Sequence, residues 1–290
     1  MPDVNRYLWH RKRNALFNRK ITKYIEAFWR FIFYSAFCIL GYQVLFVPAV
    51  APWVQDTKNH WMNWPFHQIS PMMLFYYQIE LGCYFHQLFW TEVNRSDAME
   101  MILHHFITIF LIVGSYVTNY TRVGVSILLL HDMADIFLEI AKVFNYTSEG
   151  KNNKWMKDYL VDPIFGVFAV TFFITRLVLY PRYILYSVLI EGYEVFGCEW
   201  GGCYYFVLLL VGLQLLHVFW FYLIARMIFK LMMGTMTKDE RSDDEDALED
   251  EMPPTPTGAS SSSSSSPGST AEVSSTETSE PSKRRQKKQN

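Results

Sequence analysis

The chain has 290 residues, 51% of them hydrophobic and 17% aromatic, an aromatic share high for a soluble domain. Its 26 basic and 28 acidic side chains leave a net charge of −2, which averages a basic start, a neutral middle and an acidic tail and so says nothing about partners. Neither an internal repeat nor a glycine-rich phosphate loop is present, and the apolar patterning excludes a soluble bundle: residues 106–113 and 204–213 leave no polar face for water.

Residues 1–24 form a basic segment carrying Arg6, Arg11, Lys12, Arg13, Arg19, Lys20 and Lys23, too polar for a cleaved signal peptide. A membrane domain over residues 25–232 follows. It holds about six apolar stretches, near residues 27–50, 69–92, 98–118, 122–145, 161–190 and 203–231, each long enough for a hydrocarbon core that needs about 20 residues. The fold class expected is all-α and polytopic. Positive charge gathers on one side, in the N-terminal segment, in loop residues Lys151, Lys154 and Lys157, and at Lys230 and Lys238, while the other side has only Lys58 and Arg122. An even number of spans then puts both termini in the cytosol. The three Asn-x-Ser/Thr patterns, at Asn94, Asn119 and Asn145, are expected to carry no sugar.

The third span contains Glu100, His104 and His105, and the fourth contains His131, Asp132, Asp135, Glu139 and Lys142 among leucines and isoleucines. One ionisable group at the centre of a membrane helix costs about 2.5–3.5 kcal/mol, so three carboxylates cost up to roughly 9 kcal/mol, too much for decoration. Helical spacing brings Asp132, Asp135 and Glu139 within about 60° of one another, and Glu100 onto the face of His104. His104 and His105 diverge by about 100°, so one is expected at the cavity and the other against a neighbouring helix. His104 sits about 9 Å in from the cytosolic end, Glu139 about 9 Å and Asp135 about 15 Å. A His–Asp pair can supply a base or a nucleophile, the carboxylate fixing the imidazole tautomer. Interhelical hydrogen bonding suits lone residues such as Gln214 or His217. A single His-His pair argues against a histidine-box metal site, and no metal or other cofactor is expected.

Cys198 and Cys203 flank a short loop on the non-cytosolic side, where a disulfide is plausible in an oxidising compartment. Residues 233–290 form a tail rich in acids, proline and serine, expected to be disordered. In it Ser242, ahead of Asp243, Asp244, Glu245 and Asp246, is a candidate for an acid-directed kinase, and Lys287 and Lys288 suit a dilysine address for the endoplasmic reticulum.

Residues 99–146, MEMILHHFITIFLIVGSYVTNYTRVGVSILLLHDMADIFLEIAKVFNY, closely resemble the Lag1 motif of the ceramide synthases, with the His104-His105 pair, the His131-Asp132 pair, Asp135 and the Glu139…Lys142 ending in matching order. The segments EAFWRFIFY (residues 26–34) and 61–78 look like the same family. The resemblance implies a TLC fold of six helices around a lipid-accessible chamber, and an N-acyltransferase joining acyl-CoA to a sphingoid base. It implies that His104, His105, Asp132 and Asp135 are essential, supported by His131, Glu139 and Glu100. Under it His104 accepts the acyl group, with Asp135 or Asp132 orienting the imidazole; the alternative is His104 as general base. Arg95, Lys151, Lys154 and Lys157 are candidates to attract the coenzyme A phosphates. The resemblance also assigns acyl-chain length to the loop of Glu191, Gly192, Tyr193, Glu194, Val195, Phe196, Gly197, Cys198, Glu199, Trp200, Gly201 and Gly202. Expected partners are the two substrates, membrane lipid and a homo- or heterodimer with related synthases. Residues 9–20, WHRKRNALFNRK, resemble only the end of a homeobox-like segment, and no nucleic-acid partner is expected. The readings left open beside it are a non-catalytic lipid sensor or transporter of the same fold and a metal-dependent lipid oxidase.

Overall fold

The computed structural model describes residues 2–46, 56–66, 68–89, 97–151, 154–196 and 202–233. All of them fall in one compact unit. Its elements are α1 (Pro2–Phe46), a short 3-10 turn (Thr57–His60), α2 (Pro71–Phe89), α3 (Ala98–Val117), α4 (Thr121–Lys151), α5 (residues 154–196) and α6 (Gly202–Met232). No strand occurs among the described residues.

The basic start is not a separate segment. No proline interrupts residues 3–47, so α1 runs through it without a break for 45 residues, about 68 Å. At α2, Ser70 and Pro71 meet the usual demands of a helix start: the Ser70 hydroxyl accepts the Met73 amide at 3.2 Å, and proline occupies a position whose missing N–H costs nothing. Between α3 and α4 the chain reverses over three residues. Asn119 takes the left-handed conformation (φ 59°) that asparagine tolerates, and the Tyr120 amide donates to the Ser115 carbonyl at 2.7 Å. Helix α5 is π-helical over Lys157–Val161, Phe173–Leu185 and Ser187–Glu191, the middle stretch containing Pro181.

The helices pack in a closed order, α1 against α2, α2 against α3, α3 against α6, α6 against α5, α5 against α4 and α4 back along α1. Two apolar clusters result. One joins α3, α4, α5 and α6 around Ile127, Phe168, Tyr180 and Leu213, and the other joins α1 to α4 around Phe37, Tyr76, Val125 and Leu128. Four helices are long and apolar enough to cross a membrane, at Phe17–Phe46, Ala98–Val117, Lys157–Val195 and Cys203–Met232. Helix α2 is less apolar, carrying tyrosines and glutamines beside buried Glu80, and α4 carries Asp132, Asp135 and Glu139 within one apolar stretch. The chain is thus an all-helical multi-pass membrane protein whose buried ionisable side chains gather mainly on α2, α3 and α4.

Residues 56–66 cap the end of the ring where α3 turns into α4. Arg122 donates to the carbonyls of Asn59 (2.7 Å) and Met62 (3.1 Å), and the Trp64 indole donates to the Thr118 carbonyl at 2.9 Å. Asp56 accepts the Lys58 amide at the start of the 3-10 turn.

Candidate functional site

Helix α4 organises the polar interior because consecutive turns aim its side chains at different neighbours. His131 points to α6, where its Nε2 lies 2.9 Å from Nε2 of His217. Its Nδ1 is 2.7 Å from the Ile127 carbonyl. A carbonyl only accepts, so His131 carries its hydrogen on Nδ1, and the neutral ring then accepts from the Nε2–H of His217. Nδ1 of His217 is left as a buried acceptor without a hydrogen bond. Tyr180 stands edge-on to both rings, at 6.0 and 5.0 Å, and anchors its own hydroxyl on the Leu210 carbonyl at 3.1 Å.

Asp132 points to α2, where the Tyr76 hydroxyl donates to it at 3.1 Å. Glu80, one turn beyond Tyr76 on α2, is buried, and its Oε1 makes no hydrogen bond. Asp135 points to α5: one guanidinium nitrogen of Arg176 meets both carboxylate oxygens, at 3.0 and 3.1 Å, and also the His131 carbonyl at 2.9 Å. The Phe172 ring lies against the same guanidinium, 4.7 Å from its carbon. Glu139 is bonded by Lys142 on its own helix at 2.7 Å. The expected acidic stripe therefore exists as a stretch of helix, but its three carboxyl groups serve different partners.

His104 and His105 are both buried. The His104 ring lies 6.1 Å from His131, 5.2 Å from Trp220 and 6.3 Å from Tyr84, and its Nδ1 makes no hydrogen bond. The His105 ring lies 6.2 Å from the same Tyr84 ring and 5.7 Å from that of His104. Both rings meet Tyr84, and neither faces the cavity as one was expected to. The expected orientation of His104 by an aspartate does not occur: Tyr76 holds Asp132 and Arg176 holds Asp135, and neither carboxylate bonds His104. Glu100, in the first turn of α3, makes no hydrogen bond or ion pair with a described residue.

An apolar cavity begins beside these groups, at Tyr84, Thr108 and His131, and runs between α3, α4, α5 and α6 to Trp61, Tyr120, Gly192, Tyr193 and Cys203. Its empty space, open mouth included, is about 840 Å³. Neither His104 nor His105 lines it; it starts one helical turn past them, at Thr108.

The expected chain-length loop is, in its described part, the end of a helix. Gly192 through Phe196 continue α5, and α6 starts at Gly202. Gly192 and Tyr193 line the cavity, Glu191 is buried and accepts the Thr57 hydroxyl at 2.8 Å, and Glu194 and Val195 are exposed. Cys203 is disulfide-bonded, while Cys38 and Cys83 are free. Arg95, Gly197, Cys198, Glu199, Trp200, Gly201 and Ser242 lie outside the described residues, as do the side chains of Lys151 and Lys154; Lys157 is half-buried. Among the described residues no three His, Cys, Asp or Glu side chains are grouped to hold a metal.

Sequence reasoning missed Tyr76, Glu80, Arg176 and Trp220 and took His217 for an interhelical bonding residue. The last reading holds geometrically, since His217 bonds α4. Glu80 and Arg176 carried the same signal as Asp132, an ionisable group inside an apolar window. Tyr76 and Trp220 carried none, because aromatic residues are common throughout the chain.

Comparison with known proteins gives a consistent picture. The TLC domain family model matches residues 23–226. Ceramide synthase 5 of Homo sapiens is 40% identical over 247 residues, 84% of this chain and 60% of that protein. Ceramide synthase 4 of Bos taurus is 39% identical over 82% of this chain and 58% of that protein. Ceramide synthase LOH2 of Arabidopsis thaliana is 33% identical over 80% of this chain and 78% of that protein. The chain spans about three fifths of the length of the first two relatives.

Proposed function

The chain belongs to the TLC-domain family, and on that premise we propose that it is an acyl-CoA-dependent N-acyltransferase that joins a fatty acyl group to the amine of a sphingoid base. The observation that carries this reading is the location of His104: a buried imidazole whose Nδ1 makes no hydrogen bond, next to His131 and one turn from the start of an apolar cavity. The ceramide synthase relatives support the substrate pair.

In the reaction a ring nitrogen of His104 bonds the thioester carbon as the carbon–sulfur bond breaks, and coenzyme A leaves as the thiol once its sulfur takes up a proton. The sphingoid amine then bonds the acyl carbon, the carbon–imidazole bond breaks, and the amine gives up the proton that balances the one taken by sulfur. The products are the amide and free thiol. No carboxylate contacts His104 to stabilise an imidazolium, which favours the ring as nucleophile over general base. Asp132 and Asp135 act through α4 instead. Bonded to α2 and α5, they hold the helix so that His131 stays beside His104. His105, Glu139 and Lys142 complete the polar end, and Lys157 with Arg95, Lys151 and Lys154 attracts the coenzyme A phosphates from the cytosol. The working compartment is the endoplasmic reticulum membrane, with both termini cytosolic and the tail after residue 233 outside the membrane.

The test is purified chain supplied with a sphingoid base and a series of acyl-CoAs. N-acylated product is expected, with a loss of at least about 10²-fold in His104→Ala and a smaller loss in Asp135→Asn. Radiolabelled acyl-CoA alone is expected to leave an adduct on wild type and none on His104→Ala. Full synthesis in a folded His104→Ala variant refutes the assignment.

A further inference from the structure

The far end of the apolar cavity is lined by side chains from a part of the sequence remote from the histidines. Trp61, in the cap between α1 and α2, is buried and lines the cavity with Tyr120 and Phe206. The rings lock together: Trp61 meets Tyr120 edge-on at 5.4 Å, Tyr120 meets Phe206 edge-on at 5.3 Å, and Trp64 stacks on Tyr120 at 5.2 Å. The Trp61 indole is pinned on its polar edge, where Nε1 donates to the Ser187 hydroxyl at 3.0 Å, and that hydroxyl donates to the Thr57 carbonyl at 3.4 Å. It is pinned on its apolar edge as well. A Cβ on Gly192 would lie 2.9 Å from Cζ2 of the indole, so the helix backbone approaches the ring as closely as glycine allows. A chain entering the cavity from the histidine end meets, at this end, an indole held on both edges.

We propose that Trp61, fixed by Ser187 and Gly192, is the floor that sets the longest acyl chain the cavity accepts. The inference rests on the acyl-transfer reading above and adds a specificity-determining residue to it. The depth gives a scale. From His104 to Ser115, level with the turn that carries Tyr120, α3 climbs eleven residues, about 16 Å. An extended hydrocarbon chain with ~1.5 Å bonds advances about 1.25 Å per carbon, so the cavity takes roughly 13 carbons before the chain end meets the indole. One methylene too many in a filled apolar pocket costs about ten- to two-hundred-fold in specificity. The cap therefore produces a sharp upper limit rather than a gradual decline.

The test is a competition assay in which purified chain, in lipid-containing micelles, receives one sphingoid base and an equimolar mixture of saturated acyl-CoAs from 12 to 26 carbons, with product lengths read by mass spectrometry. Trp61→Ala is expected to move the most abundant product at least two carbons longer. Ser187→Ala, which leaves the indole but removes its anchor, is expected to broaden the distribution on the long side. Trp61→Phe keeps an aromatic ring in the core where the alanine variant fails to fold, and an intermediate shift is expected from it. Product of unchanged length distribution from any folded Trp61 variant overturns the floor and leaves the reaction standing. A wild-type chain that makes no N-acyl product from any of the mixture overturns the reaction, and the floor with it.

Discussion

Replacing Arg176 by methionine removes a buried guanidinium while keeping most of its length and apolar stem. In the wild type this group is 6% exposed, makes two bonds to Asp135 and one to the His131 carbonyl, and joins α5 to α4. Breaking a buried ion pair from one side costs about 3–5 kcal/mol, mostly because a charge is left uncompensated. The Asp135 side chain is 23% exposed, which keeps some solvation and puts the loss near the lower end, about 3 kcal/mol. The carbonyl loses one acceptor interaction, about 1 kcal/mol more. The expected destabilisation is therefore roughly 4 kcal/mol, a large part of the ~5–15 kcal/mol that holds a typical domain folded. The Arg176→Met, Asp135→Leu double variant is expected to recover at least half of it, since an apolar pair of similar volume leaves no orphaned charge. Denaturant unfolding of the four proteins in detergent micelles measures the coupling directly. A coupling below about 1 kcal/mol, the size of an exposed ion pair, refutes the claim that Arg176 occupies Asp135 and restores that carboxylate as a candidate partner of His104.

Tyr76→Phe deletes one donor to Asp132 without changing the packed volume, and about 1–3 kcal/mol of stability is expected to be lost in the same unfolding assay. His217→Ala leaves Nε2 of His131 without its donor and is expected to lower kcat about tenfold or more, while His217→Gln, which keeps an N–H at similar reach, recovers part of it; equal activity of the two variants would contradict the tautomer assignment. Gly124→Ala places a methyl group on the Tyr77 hydroxyl, which is bonded to the Thr121 carbonyl at 3.1 Å and cannot retreat freely, so a loss of about 1–3 kcal/mol is expected as a lowered midpoint in thermal unfolding.

Much of the site was legible because a membrane makes ionisable residues conspicuous. His104, His131, Asp132 and Asp135 stood out among leucines and isoleucines for the simple reason that each costs free energy in hydrocarbon, and the same logic, applied to every apolar window, would have found Glu80 and Arg176. The partners of each group were not legible. Helical periodicity put Asp132, Asp135 and Glu139 on one side of α4, yet a side chain's bond is chosen by the helix opposite it. In the structure those helices are α2 for Asp132 and α5 for Asp135, so the carboxylates expected on His104 are engaged elsewhere. The 3-10 turn and the Trp61 cap between α1 and α2 were likewise invisible, because their bonds run to residues more than fifty positions away.

By itself the sequence determined that the chain is helical and apolar enough to lie in a membrane, where its polar residues concentrate, and roughly where each helix begins and ends. These depend on local composition and on residues three or four apart. Only the tertiary structure decided that the helices close into a ring, that His131 bonds His217 rather than an aspartate, and that Trp61 lines the cavity. Each of those is a contact between distant segments, and its energy depends on the geometry of both partners, which no stretch of one helix contains.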